Sequence, residues 1–394
     1  PKPSSAASDV YKRQNQKSSH VVVETNLKRR PPYCVHPDCR WHDPQIAKLE
    51  SRFALFGTRK TLRFPYKAVR YRCFLCRRTF SDSFFSFSYR DRLAPTYEQI
   101  FDLYSNGYTK MAIAEFLGHS LDTVLRRMRK LAEQSLLQQA HRTQSLKIQE
   151  DIAFDGIENF AFSQFDPNNV NHAVGKRSFF IHDFNLSPMN RKGKMSPRQI
   201  QKNAALERRF GKYPSNAIEL DSKRLFRRIL TRSGSGITLH TDKHPAYKRA
   251  LNQLHTSFSF HHDVTSSRAA RNFRNKLFPI NHTDLLTRQK STAYKRETVS
   301  FAKHTIAMQE AFVIFMVRKN FMRNIFEKPN VSIPTAHKET PAMRLGLEKR
   351  RHTFHSFFRT RLTKFQVKLN RDWLLLFERR DPYSRRPILA YSGL

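Results

Sequence analysis

The alternation of apolar and polar residues divides this chain into stretches of different character. RKTLRFP and AVRYRCF mix apolar and basic residues in near alternation, which predicts half-buried strands between residues 59 and 74. From 91 to 145 the apolar positions recur at helical spacing. From Ile152 to about Met189 the pattern reads as strands, in DIAFDG, AFSQF and RSFFIHDFNL. Residues 196–232 are polar and helix-leaning, and GITLHTD then reads as a buried strand. Pro279 to Met322 is helical, with its densest apolar tract at AMQEAFVIFMV. Beyond Arg323, prolines at 329, 334 and 341 predict an extended start to a tail that is otherwise basic and aromatic. No internal repeat is present. The pattern predicts an α/β protein in segments: a leader at 1–14, a cysteine-bearing module at 15–90, a helical module at 91–145, a mixed domain at 146–323 and a tail at 324–394.

The leader is set aside from the fold. Its SSAASDVYKRQ resembles a translated sequencing-library adapter, with a disordered Ser-rich tail as the alternative.

Charge narrows the function. The 394 residues carry 72 Lys+Arg against 32 Asp+Glu, a formal net charge of +40. Such an excess repels itself unless it meets a polyanion, and nucleic acid gains most from the encounter because phosphate neutralisation releases condensed counterions. A membrane is the weaker candidate. No apolar stretch reaches the ~18 residues of a spanning helix, and no basic-then-apolar leader is visible.

All four cysteines fall in two close pairs, Cys34-x4-Cys39 and Cys73-x2-Cys76. Paired thiolates at short spacing are zinc ligands rather than a secreted disulfide framework, which places the chain in a reducing cytoplasm. The first pair has four intervening residues, and 33 separate the pairs, so His36 or His42 could replace a cysteine. Four buried free cysteines are the bland alternative.

The tract YTKMAIAEFLGHSLDTVLRRMRKLAE, within a candidate helix-turn-helix from Thr96 to Leu131, has the division a DNA reader needs. Met111, Ala112 and Ala114 make a small first helix, Leu117-Gly118-His119 a turn, and Ser120 a cap. Val124, Met128 and Leu131 face inward, leaving Arg126, Arg127, Arg129 and Lys130 to point largely outward toward DNA. A plain helical hairpin with a solvated basic face is the alternative.

Asp155 and Asp242 each end an apolar strand-like run. A lone carboxylate there is costly, and a divalent cation such as Mg²⁺ compensates several at once. Each Asp capping a turn is the common alternative. The nearby His240, His244, His261 and His262 more readily contact phosphate or pack than bind metal. Most of the 33 phenylalanines belong to the core, with a few in the tail free to stack on unpaired bases.

RYRCFLCRRTFSD resembles the second knuckle of the zinc ribbons that open many insertion-sequence transposases. FDGIENF, LHTDKHPAYKRAL and PINHTDLLTRQKSTAYKRETVSFAKH resemble the catalytic tracts of DDE transposases of that kind. The resemblance spans roughly residues 34–323. It implies a ribonuclease H-like catalytic domain behind a zinc ribbon and a helix-turn-helix. It also implies Asp155, Asp242 and a third acid as ligands of catalytic Mg²⁺ or Mn²⁺. The third acid lies on a helix, often in Asn-x-x-acid, which matches Asn281-His282-Thr283-Asp284 with Arg288 one turn later. Asp284 stands 42 residues after Asp242 and replaces the usual Glu; Glu297 and Glu310 compete. The implied activity is binding of terminal inverted repeats, cleavage and strand transfer into target double-stranded DNA, by an oligomer in a prokaryotic cytoplasm. A non-catalytic transposase-derived DNA-binding protein and a zinc-binding transcription regulator are the rival functions.

Overall fold

A computed structural model describes residues 31–60, 66–234, 236–266, 268–295, 300–381 and 383. The leader and the competitor Glu297 lie outside them. The chain separates into a unit ending at Pro95 and a second beginning at Thr96.

In the first unit, helix α1 (Pro44–Glu50) precedes a three-stranded antiparallel sheet of β1 (Phe53–Lys60), β2 (Lys67–Cys73) and β3 (Thr79–Ser81). Asp43 caps α1 by accepting from the Gln45 N–H at 2.8 Å, and Pro44 follows at its first position. The helix and the β1–β2 hairpin occupy the long interval between the cysteine pairs. Tyr33, Tyr71, Phe80 and Phe85 bury themselves beside Cys34, Cys39 and Cys73 to make a small core.

The second unit opens with α2 (Tyr97–Ser105), α3 (Lys110–Leu117) and α4 (Leu121–Thr143). Thr109 caps α3 through the Ala112 N–H, Gly118 ends it at φ +61°, and Ser120 caps α4 through the Thr123 N–H. The helix-turn-helix pattern is thus present, with Val124, Met128 and Leu131 buried. Helix α4 runs 12 residues past the expected end, and its distal half enters the core. Its Gln134 and Gln138 hydrogen-bond the backbone of Leu362 and Thr360.

A five-stranded sheet follows, in the order β6-β5-β4-β7-β8. Its strands are β4 (Ile152–Phe160), β5 (Pro167–Gly175), β6 (Ile181–Pro188), β7 (Thr238–Thr241) and β8 (His261–Val264). The first three form an antiparallel meander, and β7 and β8 run parallel to β4. Helices α5 (Pro197–Phe210) and α6 (Ala217–Arg232) connect β6 to β7, and α7 (Pro245–Asn252) connects β7 to β8. Phe226 of α6 and Tyr247 of α7 pack on Phe154. The opposite side of the sheet carries α8 (Phe278–Lys290) and α9 (Thr305–Val317), where Phe312 meets Phe184 and His172.

AFSQF is not a strand: Ala161 to Asp166 form a turn closed by the Ala161 N–H on the Asp166 carbonyl, with Phe162 at φ +64°. The strand is PNNVNHAVG, whose asparagines are buried in a side-chain ladder. Asn169 donates to Asn171 at 2.8 Å, and Asn171 donates to Asn185 at 3.0 Å and Ser187 at 2.7 Å. Mutual hydrogen bonding offsets much of the cost of burying these amides, although Asn169 Oδ1 has no hydrogen-bond partner among the described residues.

The tail joins the same unit. Trp373, on α10 (Arg371–Phe377), stacks near Phe184 and donates its indole N–H to the Phe184 carbonyl at 3.1 Å. Arg228 bridges Asp183 of the sheet and Asp372 of the tail at 2.8 and 2.6 Å. Phe357 and Phe358 are core residues, which removes them from the tail phenylalanines expected to stack on bases, whereas Phe365 is exposed.

Candidate metal centres and acidic site

The four cysteine sulfurs lie within 4.8 Å of one another and could hold a metal such as zinc. Cys34 Sγ is 3.7 Å from Cys76 Sγ, and Cys39 Sγ is 3.9 Å from Cys73 Sγ. These separations are far beyond a ~2.05 Å disulfide. They match the ~3.8 Å edge of a tetrahedron with ~2.3 Å metal–sulfur bonds. Burial pushes the Cys34 and Cys39 thiols up. Burial also raises Cys76, but hydrogen bonds from the Arg78 backbone and guanidinium and from neighbouring thiols outweigh it and bring it to about 7. A thiolate is therefore available to start metal capture. His36 and His42 do not join the set; His42 Nδ1 is bonded to the Cys34 carbonyl at 2.8 Å.

The acidic site is built on the central strand. Asp155 sits in the middle of β4, Asp242 just beyond the end of β7, and Asp284 on α8. Asp155 feels both of the others. Burial, then the Asp284 charge, then the Asp242 charge push its carboxyl up to about 7, against a hydrogen bond from the Gly156 N–H at 2.7 Å and the nearby His172. The three acids expected to converge do share one electrostatic environment. They stand more open than the sulfur set: among the described residues, only the cysteines close to a mutual 4.8 Å.

The neighbours hold the acids in place. Asp242 accepts the His244 N–H at 2.8 Å, which fixes the turn into α7. Tyr247 on α7 is kept protonated by burial and by the Asp155 and Asp242 charges. Asn169 lies against Gly156; a Cβ there would fall 2.1–2.4 Å from the Asn169 side chain, so the residue after Asp155 must be glycine. Arg288 clamps the end of α8 to the Glu158 and Tyr294 carbonyls.

His172 carries no apolar or motif signal, and the sequence reading passed over it. It is paired with Asp155 across β4 and β5. Its side chain is fully buried, and Nε2 approaches Asp284 Oδ1 at 3.0 Å. The approach is off-line for a hydrogen bond, so both buried atoms lack a hydrogen-bond partner among the described residues.

Glu310 stands elsewhere. It lines a separate cavity of about 210 Å³, ion-paired to Arg379 and facing Lys110. Three of the four histidines serve structure: His240 lies between Asp151 and Asp263, His262 bonds Thr241 at 2.8 Å, and His244 caps α7. His261 is exposed on β8.

The outward basic face of α4 is smaller than the sequence implies. Arg126 and Arg129 are exposed, in i,i+4 pairs with Asp122 and Glu133. Lys130 lies over the Tyr97 ring at 5.5 Å. Arg127, expected to point outward, is buried: its guanidinium bonds Thr96 Oγ1 and His119 Nε2. Burial first, and then the Arg127 charge, keep His119 neutral.

A pH dependence follows from Asp155. Its folded pKa of about 7 lies above the ~3.9 of an unfolded chain. The folded state therefore holds the extra proton. That stabilisation is complete below about pH 4 and is lost as pH rises through about 7. In metal-free buffer the second unit's Tm is expected to fall between pH 5 and pH 8, and Asp155→Asn to flatten the fall. An equal slope in the variant would assign the effect to other groups.

No family model matches the chain, and no curated protein matches it. Among the described residues, no helix is long and apolar enough to cross a membrane.

Proposed function

We propose that the chain is an insertion-sequence transposase of the DDE type, whose second unit holds a ribonuclease H-like catalytic domain. The observation that carries this reading is that the charges of Asp284, on a helix, and of Asp242, just past a parallel neighbour strand, both act on Asp155 of the central strand. The antiparallel meander followed by parallel strands supports the ribonuclease H-like assignment. The four cysteines support a zinc module, and α3–turn–α4 under a net charge of +40 supports DNA binding.

The acids fit a divalent cation: Asp284 and Asp242 both act on the Asp155 carboxyl, and the buried Asp284 Oδ1 and His172 Nε2 have no hydrogen-bond partner among the described residues. Asp155, Asp242 and Asp284 would hold Mg²⁺ or Mn²⁺. Held there, such an ion would supply activation of an attacking oxygen and stabilisation of the leaving oxygen at a phosphodiester. The chain's own residues orient the reaction. Strand β4 fixes Asp155, the His244 N–H fixes Asp242, and Tyr247 stays a neutral hydroxyl rather than adding a charge. The basic surface collects DNA, which is bound at the terminal repeats by an oligomer. Incubating zinc-loaded protein with supercoiled plasmid tests the reading. Mg²⁺ or Mn²⁺ should yield nicks with 3′-hydroxyl ends; no nicking with either ion would contradict it.

The two arginines separate by role. Arg126→Ala should weaken DNA binding and reduce the salt slope by ~1 without changing Tm. Arg127→Ala should instead cost about 1–3 kcal/mol of stability, by stripping the partner from Thr96 and His119. Thermal unfolding beside a salt series of DNA anisotropy distinguishes them. A stable Arg127→Ala protein with lost DNA affinity would return Arg127 to the interface.

A further inference from the structure

We propose that His172 is a direct ligand of the divalent cation at the acidic site, making it a mixed imidazole–carboxylate centre that favours Mn²⁺ over Mg²⁺. This rests on the transposase reading and adds a residue to its site. The ring's Nδ1 faces the Val170 carbonyl at 3.2 Å, and a carbonyl can only accept, so Nδ1 carries the proton. In the neutral ring Nε2 then presents a lone pair. That lone pair is aimed at the lone pairs of Asp284 Oδ1, 3.0 Å away and off-line for a hydrogen bond. Two buried acceptors facing each other repel unless a proton on Nε2 or a cation beside both intervenes, and the neighbouring acids favour a cation. Adjacent ligands of an octahedral ion with ~2.1 Å bonds stand about 3.0 Å apart, so the separation suits a shared metal. A backbone carbonyl on one ring nitrogen with metal on the other is the usual arrangement of a ligating histidine.

The ring is also held for the task. It is fully buried on β5, directly across from Asp155, with its edge near Phe312 at a centroid distance of 5.4 Å. Asp284 reaches the site with a side chain one methylene shorter than Glu, and a fourth donor beside it restores the coordination that the shorter arm loosens. Both ions favour oxygen donors, but Mg²⁺ is the harder and the more reluctant to give up water, so an imidazole nitrogen in the set disfavours Mg²⁺ more than Mn²⁺.

The test uses the full, zinc-loaded chain and Mn²⁺ as the probe. Electron spin-echo spectroscopy of the Mn²⁺-bound wild type should show a ¹⁴N coupling from a directly bound imidazole. In His172→Asn, whose amide can still donate to Val170, the coupling should vanish. Mn²⁺ affinity should fall about tenfold or more, with a much smaller change for Mg²⁺. His172→Gln, which can place an oxygen near the Nε2 position, should recover part of the affinity without the ¹⁴N signal. Should His172→Asn fail to fold, the wild-type spectrum decides alone. Mn²⁺ that is lost in Asp155→Asn yet shows no ¹⁴N coupling in wild type would overturn the role of His172 and leave the transposase reading standing. Mn²⁺ binding absent from wild type, or unchanged in Asp155→Asn, would remove both.

Discussion

Asp155→Asn, Asp242→Asn and Asp284→Asn are each expected to lower DNA strand cleavage by about 10³-fold or more. That corresponds to a loss of roughly 4 kcal/mol of transition-state stabilisation. DNA affinity should hold or rise, because each change removes a negative charge facing phosphate. The substitution is nearly isosteric, so β4, β7 and α8 keep their places, and Tm values no lower than wild type would assign the loss to chemistry. Asp155 lies under the influence of both partners, so it should be the most sensitive position. Glu310→Gln serves as the control. Its carboxylate is committed to Arg379 in a different cavity, and cleavage should change little. Normal cleavage by all three Asp variants would end the account of the acidic site. Normal cleavage by Asp284→Asn alone would move the third acid elsewhere and keep the enzyme class.

Removal of zinc is expected to unfold the first unit while the second retains its thermal transition. The core of that unit is one cluster of eight buried residues, three of which are the cysteines themselves. So small a core needs a staple. Structural zinc contributes about 10–16 kcal/mol in comparable small modules, more than the aromatic packing of Tyr33, Phe80 and Phe85 can replace. A strong chelator, or Cys73→Ser, should expose residues 31–95 to limited proteolysis and leave the α4-centred core protected. Purified protein with four intact thiols, no zinc and a protease-resistant first unit would contradict this.

Much of this architecture was legible because local chemistry agrees with the global fold. Gly118 and Ser120 mark the turn between α3 and α4 through capping alone, and the tract after Asp242 carries proline at the first position of α7. The cysteine spacing likewise anticipates the cluster. Other features were hidden for physical reasons. Strand β5 buries asparagines that hydrogen-bond in a ladder, so it lacks the apolar alternation by which strands are recognised. His172 sits in that unreadable strand. Arg127 was assigned to the surface by its charge. Yet it lies three residues after Val124 and four before Leu131, on the inward face, and hydrogen bonds to Thr96 and His119 satisfy it there. Periodicity was the better guide than residue type.

The central claim is that this chain cuts DNA and joins it. It is tested most directly with a labelled duplex carrying the repeat that flanks its reading frame, incubated with zinc-loaded protein, plasmid and Mg²⁺ or Mn²⁺. The account predicts transfer of the label into plasmid through a 3′-hydroxyl end, dependent on the divalent ion and absent with Asp284→Asn. DNA binding with no joined product under either ion, or joining that Asp284→Asn performs as well as wild type, would contradict it.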